Sequence, residues 1–533
     1  MSIYKLRQLA SIRIPDDTQI FVVRRDLSGG VNSRQYGSLI GDTQVTVLYN
    51  ADIGTAGQSS KRPGSTLIGN DVSDNTFAAL FNYARQGYSD SLIAYDDTVL
   101  WEWLGTGNWA ATGVGTFTAA QTDVSILACK ESGLVPDDVF IVQNGTNDAQ
   151  RFHKDSSDVW AVQDLLHATG ANAAPVKSTV MAWYGNRVWV LKNDLLYFSD
   201  AYPADYAVAF DDVSNTFRIP VGAERGIVPT RDTGMVIMGE DAIWGLAPSA
   251  TPVATDKPQP LVTDHGVVSK KGWVIAGDDI YYFAQDGLRK LMRTQLDKLQ
   301  TGASFPISYP LKTEYDNISW AYVDRLRMEY FDNKIFVSVP TSATTFDTWV
   351  YYPALNAFMV IQGWSPREFA KYKMSGQEYL YYAKHGNGIV YRAWYGYTDE
   401  GATTTTGTAI NYQEEGRKED GGQPLIYKVG GEVEVKALAS GNYNLGVYVS
   451  FDDGSYNLLG YLNLLGNLIT FPATFPLNFM DAIIMSEKFH LDGYGRWRQI
   501  RIKIQHNATN STNNIIVLER SIISFPEVYE TEE

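Results

Sequence analysis

Paired carboxylates are the residues of this sequence best suited to chemistry, because hydrolysis of a glycoside needs two carboxyl groups at a fixed separation. Asp96-Asp97, Asp211-Asp212 and Asp278-Asp279 are the formal candidates. Their weight is small. With 60 acidic residues in the chain, adjacent pairs arise by chance, and two of these three fall where a tight turn calls for Asp. The six histidines, His153, His167, His265, His385, His490 and His506, show no metal-ligand spacing and read as surface or core imidazoles. Cys129 is the one cysteine, so there is neither an intrachain disulfide nor a Cys-based zinc cluster; its neighbours Ile126, Leu127 and Ala128 mark a core thiol. The chain carries no Gly-x-Ser-x-Gly elbow, no phosphate loop of the Gly-x-x-x-x-Gly-Lys-Ser/Thr type and no His-Glu-x-x-His. The expectation is no catalytic residue, no metal, no cofactor and no enzymatic activity.

The elements that would position such residues are strands. From about Phe77 to Tyr397 one theme recurs: a β-rich run, a short turn of Asp, Asn or Gly, and a second β-rich run. The copies begin at Ser91, Asp138, Met181, Met235, Trp273, Met328 and Tyr379, spaced about 40 to 55 residues apart. Asp-Asp, Gly-Asn, Asp-Asn and Asn-Gly tolerate the positive φ of tight hairpin turns, and the flanking Val, Ile, Tyr and Trp favour strands. This period suits the four-stranded blades of a β-propeller, where each sheet packs on the next and ring closure leaves only short edges. A solenoid would show a shorter, stricter repeat. Exposed aromatics such as Trp101, Trp103, Trp109 and Trp364 could bind sugar, but most should serve blade packing.

From about Leu425 period-two alternation resumes, for example Ile500, Ile502 and Ile504 against Arg501 and Lys503, which marks strands with one buried face. Ser450 to Tyr456 is similar to the Asp-box of sialidases, but it occurs once and outside the repeats, and it reads as a hairpin turn. The two sequons at Asn507 and Asn510 read as a polar hairpin loop. The chain is thus expected to be all-β: N-terminal arms and platform strands over 1–75, a propeller of about seven blades over 76–400, a linker or exposed loop over 401–424, and a C-terminal β-sandwich over 425–533. The arms and the C-terminal segment together form a sandwich or platform region.

A formal charge of -16 opposes a general grip on nucleic acid, which needs clustered Lys and Arg. No apolar run approaches the roughly 20 residues of a membrane span, and the first residues lack the apolar core of a signal peptide. Synthesis in a cytoplasm without insertion into a bilayer is expected.

Three N-terminal stretches carry more: Arg25-Asp-Leu-Ser-Gly-Gly-Val-Asn-Ser-Arg34, Leu48-Tyr-Asn-Ala-Asp52 and Ser60-Lys-Arg-Pro-Gly64. By themselves they describe ordered arms with tight turns. Their order and spacing, with Tyr494-Gly-Arg-Trp-Arg-Gln-Ile-Arg-Ile-Lys-Ile504 near the end, resemble the tail nozzle proteins of short-tailed bacteriophages, also called tail tubular protein B. Together with the repeats the likeness covers most of the chain, which is shorter than the larger nozzle proteins. The resemblance implies a structural virion protein: a ring, commonly a homohexamer, below the adaptor protein of the viral tail. Platform parts line a channel for genome ejection and propellers face outward to carry tail fibres. An acidic lumen would let double-stranded DNA pass without specific binding. The subunit and adaptor interface would fall on Arg24, Arg25, Gly29, Gly30, Asn32, Arg34, Asn50, Lys61, Arg62, Pro63, Gly64, Arg496 and Arg498, and removal of residues 1–65 should stop ring assembly while leaving the propeller folded. Two other readings remain: a tail-tip or receptor-binding propeller that recognises host surface glycan, and a glycan hydrolase.

Overall fold

The computed structural model describes residues 19–527 apart from 56–57, 73–75, 97, 116, 118–122, 132–133, 135–136, 166–175, 202–209, 211–214, 231–233, 250–251, 253–255, 292–305, 440–443, 465–482 and 507–514. Asp97, Asp211, Asp212, Asn507 and Asn510 lie outside the described residues. The chain divides into two units: Pro63–Thr408, and a second unit made from both chain ends, Met1–Arg62 with Ala409–Glu533.

The first unit is a β-propeller. Among the described residues five of its sheets have four strands and one has three, and the four consecutive strands from Arg327–Phe331 to Ala357–Ile361, part of a larger sheet, make the remaining blade. The innermost strands are, in order, Phe77–Tyr83, Ser125–Lys130, Met181–Tyr184, Glu224–Thr230, Trp273–Ala276, Arg327–Phe331 and Pro366–Met374, and they open blades 1 to 7. Six of the blades run outward along the chain through antiparallel hairpins. Blade 7 is completed from the other direction: Ser65–Ile68 pairs with Val390–Ala393. The N-terminal end of the unit thereby latches onto its C-terminal end and closes the ring, which removes the open sheet edge that would otherwise invite association. Gly64 permits this junction, because a Cβ there would sit 2.0 Å from the Thr398 carbonyl oxygen.

Aromatic rings fill the seams. Tyr83, Tyr95, Phe140 and Phe152 lie between blades 1 and 2, Phe283 faces Trp349 between blades 5 and 6, and Trp103 meets Tyr372 and Tyr381 where blade 7 returns to blade 1. Full burial of one such side chain contributes roughly 1.5–3 kcal/mol. Trp103, Trp109 and Trp364 are buried and Trp101 packs against the same cluster, so these four rings are seam and core residues. Cys129 is buried among Val139, Ile141 and Val190.

The second unit is a β-sandwich. One sheet has the order Ile483–His490, Lys428–Ala439, Ile516–Pro526, Ser59–Lys61, Ala51–Asp52, with Ile20–Arg24 also paired along Ile516–Pro526 and Arg496–Trp497 along Lys428–Ala439. The other runs Val47–Tyr49, Tyr412–Glu415, Ile500–His506, Asn444–Phe451, Asn457–Asn463. Ile500, Ile502 and Ile504 are buried and Arg501 and Lys503 are half-buried, as their alternation requires. Asp452 and Asp453 take positive φ (47° and 66°) at the turn between Asn444–Phe451 and Asn457–Asn463, so the Asp-box-like stretch is a hairpin.

Two boundaries differ from the sequence expectation. The propeller begins at Pro63 rather than at 76, because Ser65–Ile68 belongs to blade 7, while the strands before it lie in the sandwich sheets as expected. The segment 401–424 is not simply an exposed loop: Tyr412–Glu415 lies between Val47–Tyr49 and Ile500–His506, with Tyr412 and Glu414 buried.

Candidate functional site

The residues expected to dock neighbouring subunits separate by burial. Lys61 and Arg62 keep only 3% and 1% of their surface exposed. Arg62 donates through Nε to the Asn50 side-chain oxygen at 2.9 Å, and Asn50, at φ 57°, passes a hydrogen bond from Nδ2 to the Asn411 carbonyl at 2.9 Å. Lys61 faces the buried His506, whose pKa falls to about 4 through burial and the neighbouring ammonium. Asn32 is buried as well, donating to Gln44 Oε1 at 2.9 Å beside the parallel pair Gly30–Val31 and Gln44–Val45; Gly30 takes φ 61° and Gly29 packs on Thr43. Pro63 is half-buried and Gly64 buried at the start of the propeller chain. Lys61, Arg62, Asn32, Asn50 and Gly64 are therefore internal supports, and the expectation that they meet a partner is corrected: a buried cation cannot reach an acidic surface outside.

Exposure leaves a smaller set. Arg25 pairs with Glu519 at 2.6 Å, Arg496 with Glu527 at 2.6 Å, and the Arg498 guanidinium stands 4.4 Å from the Tyr427 ring centre; these three and Arg34 are exposed on the sandwich. Arg24 is half-buried and forms a two-pronged pair with Glu419 at 2.7 and 3.0 Å, closed by Asp42 and Arg417. The expected truncation of 1–65 is corrected too: it would delete Ile20–Arg24 and Ser59–Lys61 from the sandwich and Ser65 from blade 7.

A second cluster, which sequence reading missed, lies at the end of the propeller where the inner strands begin. Arg327, fully buried at the start of the inner strand of blade 6, donates from Nε to Glu368 Oε1 at 2.7 Å and from a terminal nitrogen to Asp123 Oδ1 at 2.7 Å. Glu368 comes from blade 7 and Asp123 precedes blade 2. Lys271, just before blade 5, donates to Glu368 Oε2 at 2.8 Å and approaches the Ala78 carbonyl of blade 1 at 3.5 Å. Lys270 reaches Thr179, ahead of blade 3, at 2.6 Å and Glu224 of blade 4 at 3.7 Å. Arg367 stands 3.6 Å from Asp123. All seven blades thus contribute a polar group to this hub.

Electrostatics tune each member. Burial would raise the Asp123 carboxyl, but Arg327, Arg367 and the two lysines outweigh it and hold it below the usual range. Burial works against the Arg327 charge, yet Glu368 and Asp123 outweigh it and hold its pKa above the ordinary value. Burial and then repulsion from Arg327 push Arg367 down to about 10, and burial lowers Lys271 despite Glu368. His385, near Arg325 and Arg367, falls to about 4 from burial and those two cations. The hub can pin blades together and present positive charge; its Asp123 is held as an anion.

Of the carboxylate pairs singled out in the sequence, Asp279 forms an ion pair with Lys290 at 2.6 Å, Asp278 is exposed at a turn and Asp96 is buried, each at or beside a hairpin turn of a blade. Among the described residues no group of three or more His, Cys, Asp or Glu side chains is arranged to hold a metal.

No family model and no curated protein matches the sequence. Solved structures with a similar arrangement include PorZ, a surface component of the type-IX secretion system of Porphyromonas gingivalis (11% identity, TM-score 0.35, covering 61% of this chain and 37% of that one). They also include an exo-β-1,3-galactanase from Phanerochaete chrysosporium (10% identity, TM-score 0.25, 86% of this chain and 100% of that one). A further match is a glycoside hydrolase (11% identity, TM-score 0.26, 85% and 99%). The chain spans little more than a third of PorZ. With the seven blades described above, the class is an all-β protein with a β-propeller. Because glycoside hydrolases recur among the matches, the expectation of no enzymatic activity is withdrawn. At these TM-scores the likeness carries no activity over to this chain.

Proposed function

We propose that the chain is a structural subunit of a short bacteriophage tail, assembling as a ring through its sandwich and offering its propeller as a docking surface. The observation that supports this reading is the co-folding of both chain ends: strands from 20–61 and from 412–526 share the same two sheets, and the whole propeller is one insertion between Arg62 and Ala409. Such a sandwich gives a subunit a rigid wall element whose fold depends on neither end alone. The exposed Arg25, Arg34, Arg496 and Arg498 supply positive points on a protein of net charge -16, suited to acidic surfaces of a neighbouring copy or of the adaptor. Combined Arg25→Glu and Arg498→Glu substitution tests it: the expected result is loss of ring assembly with an unchanged melting temperature, and unimpaired rings would overturn the assignment of these residues.

A second reading is recognition of host glycan by the propeller. It is favoured by a stack on blade 7, where the Arg392 guanidinium lies 3.6 Å from the Tyr379 ring centre and 3.7 Å from that of Tyr395, with Tyr395 and Tyr397 exposed. Rigid aromatic planes of this kind stack on sugar faces. Retention of the protein on host polysaccharide, lost in Tyr395→Ala, would support it; equal retention of wild type and variant would sink it.

A further inference from the structure

The propeller hub holds more positive than negative charge, in a chain that is acidic as a whole. Lys270, Lys271, Arg325, Arg327 and Arg367 gather there, against the carboxylates of Asp123, Glu224 and Glu368. Even with the exposed Asp324 side chain counted, five cations face four carboxylates. His385 adds no charge near neutral pH; it sits 3.4 Å from the Arg325 guanidinium and is kept neutral by burial first, then by Arg367 and Arg325. Arg325 points one nitrogen at the Ala343 carbonyl at 2.7 Å, so its hydrogen bonds here go to neutral partners.

The cluster is reachable. Lys271 keeps 33% of its side chain exposed and Asp123 26%, whereas Arg327, Arg367 and Glu368 beneath them are almost wholly buried. Guanidinium and ammonium groups held where packed blades begin, with desolvated partners below and solvent above, suit charge-assisted hydrogen bonds to an oxyanion. We infer that this end of the propeller axis binds an oxyanion group of a ligand, phosphate or carboxylate, received by Lys271 and Arg325, with the buried Arg367 adding positive charge from beneath.

The test uses the full chain and three probes at matched ionic strength: inorganic phosphate, glucuronate and, as the neutral control, glucose. Thermal unfolding should show a saturable rise in melting temperature with phosphate or glucuronate and none with glucose; whichever anion saturates at lower concentration identifies the source. In Arg325→Gln and Lys271→Gln the concentration at half-saturation should rise at least about tenfold, the loss of one charge-assisted contact of roughly 1.4 kcal/mol or more. Lys177→Gln, which removes a cation already paired with the exposed Asp148, should leave it unchanged. Should either hub variant lower stability by itself, the His385 imidazole resonance gives a second readout: it should move on addition of the anion in wild type. A rise that never saturates, or one equal in wild type and in both hub variants with a still His385 resonance, would overturn the inference.

Discussion

Arg520 reaches from one sheet of the sandwich to Glu414 on the other, donating through Nε to Oε1 at 2.6 Å while a terminal nitrogen donates to Ser59 at 2.7 Å. Tyr412 completes the group by donating to Glu414 Oε2 at 2.6 Å. Ser59 comes from the N-terminal part of the chain and the other three from the C-terminal part, so one buried polar network joins the two ends. Burial works against the Arg520 charge, and Glu414 outweighs it.

Breaking that pair should be costly. Glu414→Gln leaves a buried guanidinium without its counter-charge and should lower the stability of the sandwich by roughly 3–5 kcal/mol in urea unfolding. Replacing both partners, Glu414→Leu with Arg520→Met, should recover most of the loss, because two desolvated charges are removed together. A double variant no better than the single would contradict this account.

The propeller hub predicts a ranking. Arg327→Met leaves the buried Glu368 with Lys271 alone and Asp123 with only the more distant Arg367, and should destabilise by roughly 3 kcal/mol, whereas Asp123→Asn, at a partly exposed position, should cost about 1 kcal/mol. Calorimetry of the two variants checks the order.

Asp347 predicts a stability change near pH 6. Burial, then Glu314, raises its pKa to about 6 from 3.8, so the folded state favours the protonated form. Its contribution is complete below 3.8 and is lost as pH rises through 6. Asp347→Asn should therefore raise stability by roughly 2 kcal/mol at pH 8 and have little effect at pH 4. An equal effect at both values would show that the carboxyl titrates normally.

His506 acts in the opposite direction. Its folded pKa near 4 lies below the ordinary 6.5, so the neutral ring stabilises the fold above 6.5 and that contribution fades as pH falls toward 4. An NMR titration should find this imidazole uncharged down to about pH 5, and replacing the neighbouring cation, Lys61→Met, should move its midpoint upward.

How far the sequence revealed this molecule depended on the distance over which each feature is encoded. Hairpins are local: Gly185-Asn186 and Asp332-Asn333 take the positive φ their types allow, which is why the blade repeat could be read directly. Ring closure by Ser65–Ile68 depends on a partner more than 300 residues away and left no local mark. Lys61-Arg62 and the charged run from Gln413 have the composition of exposed segments, yet Asn50, Arg520 and Ser59 supply partners that let them be buried. The hub joins residues 41 and 204 positions apart, with no spacing motif to betray it. Adjacent carboxylates such as Asp278-Asp279 are turn residues, and the charges that meet come from different blades.

The most direct test of the proposed tail-subunit reading is negative-stain microscopy of the purified full chain, alone and mixed with the proteins encoded beside it. The account predicts rings with a central through-channel, most simply of six copies. Particles that stay monomeric, or that attach singly as peripheral knobs with no channel, would contradict it.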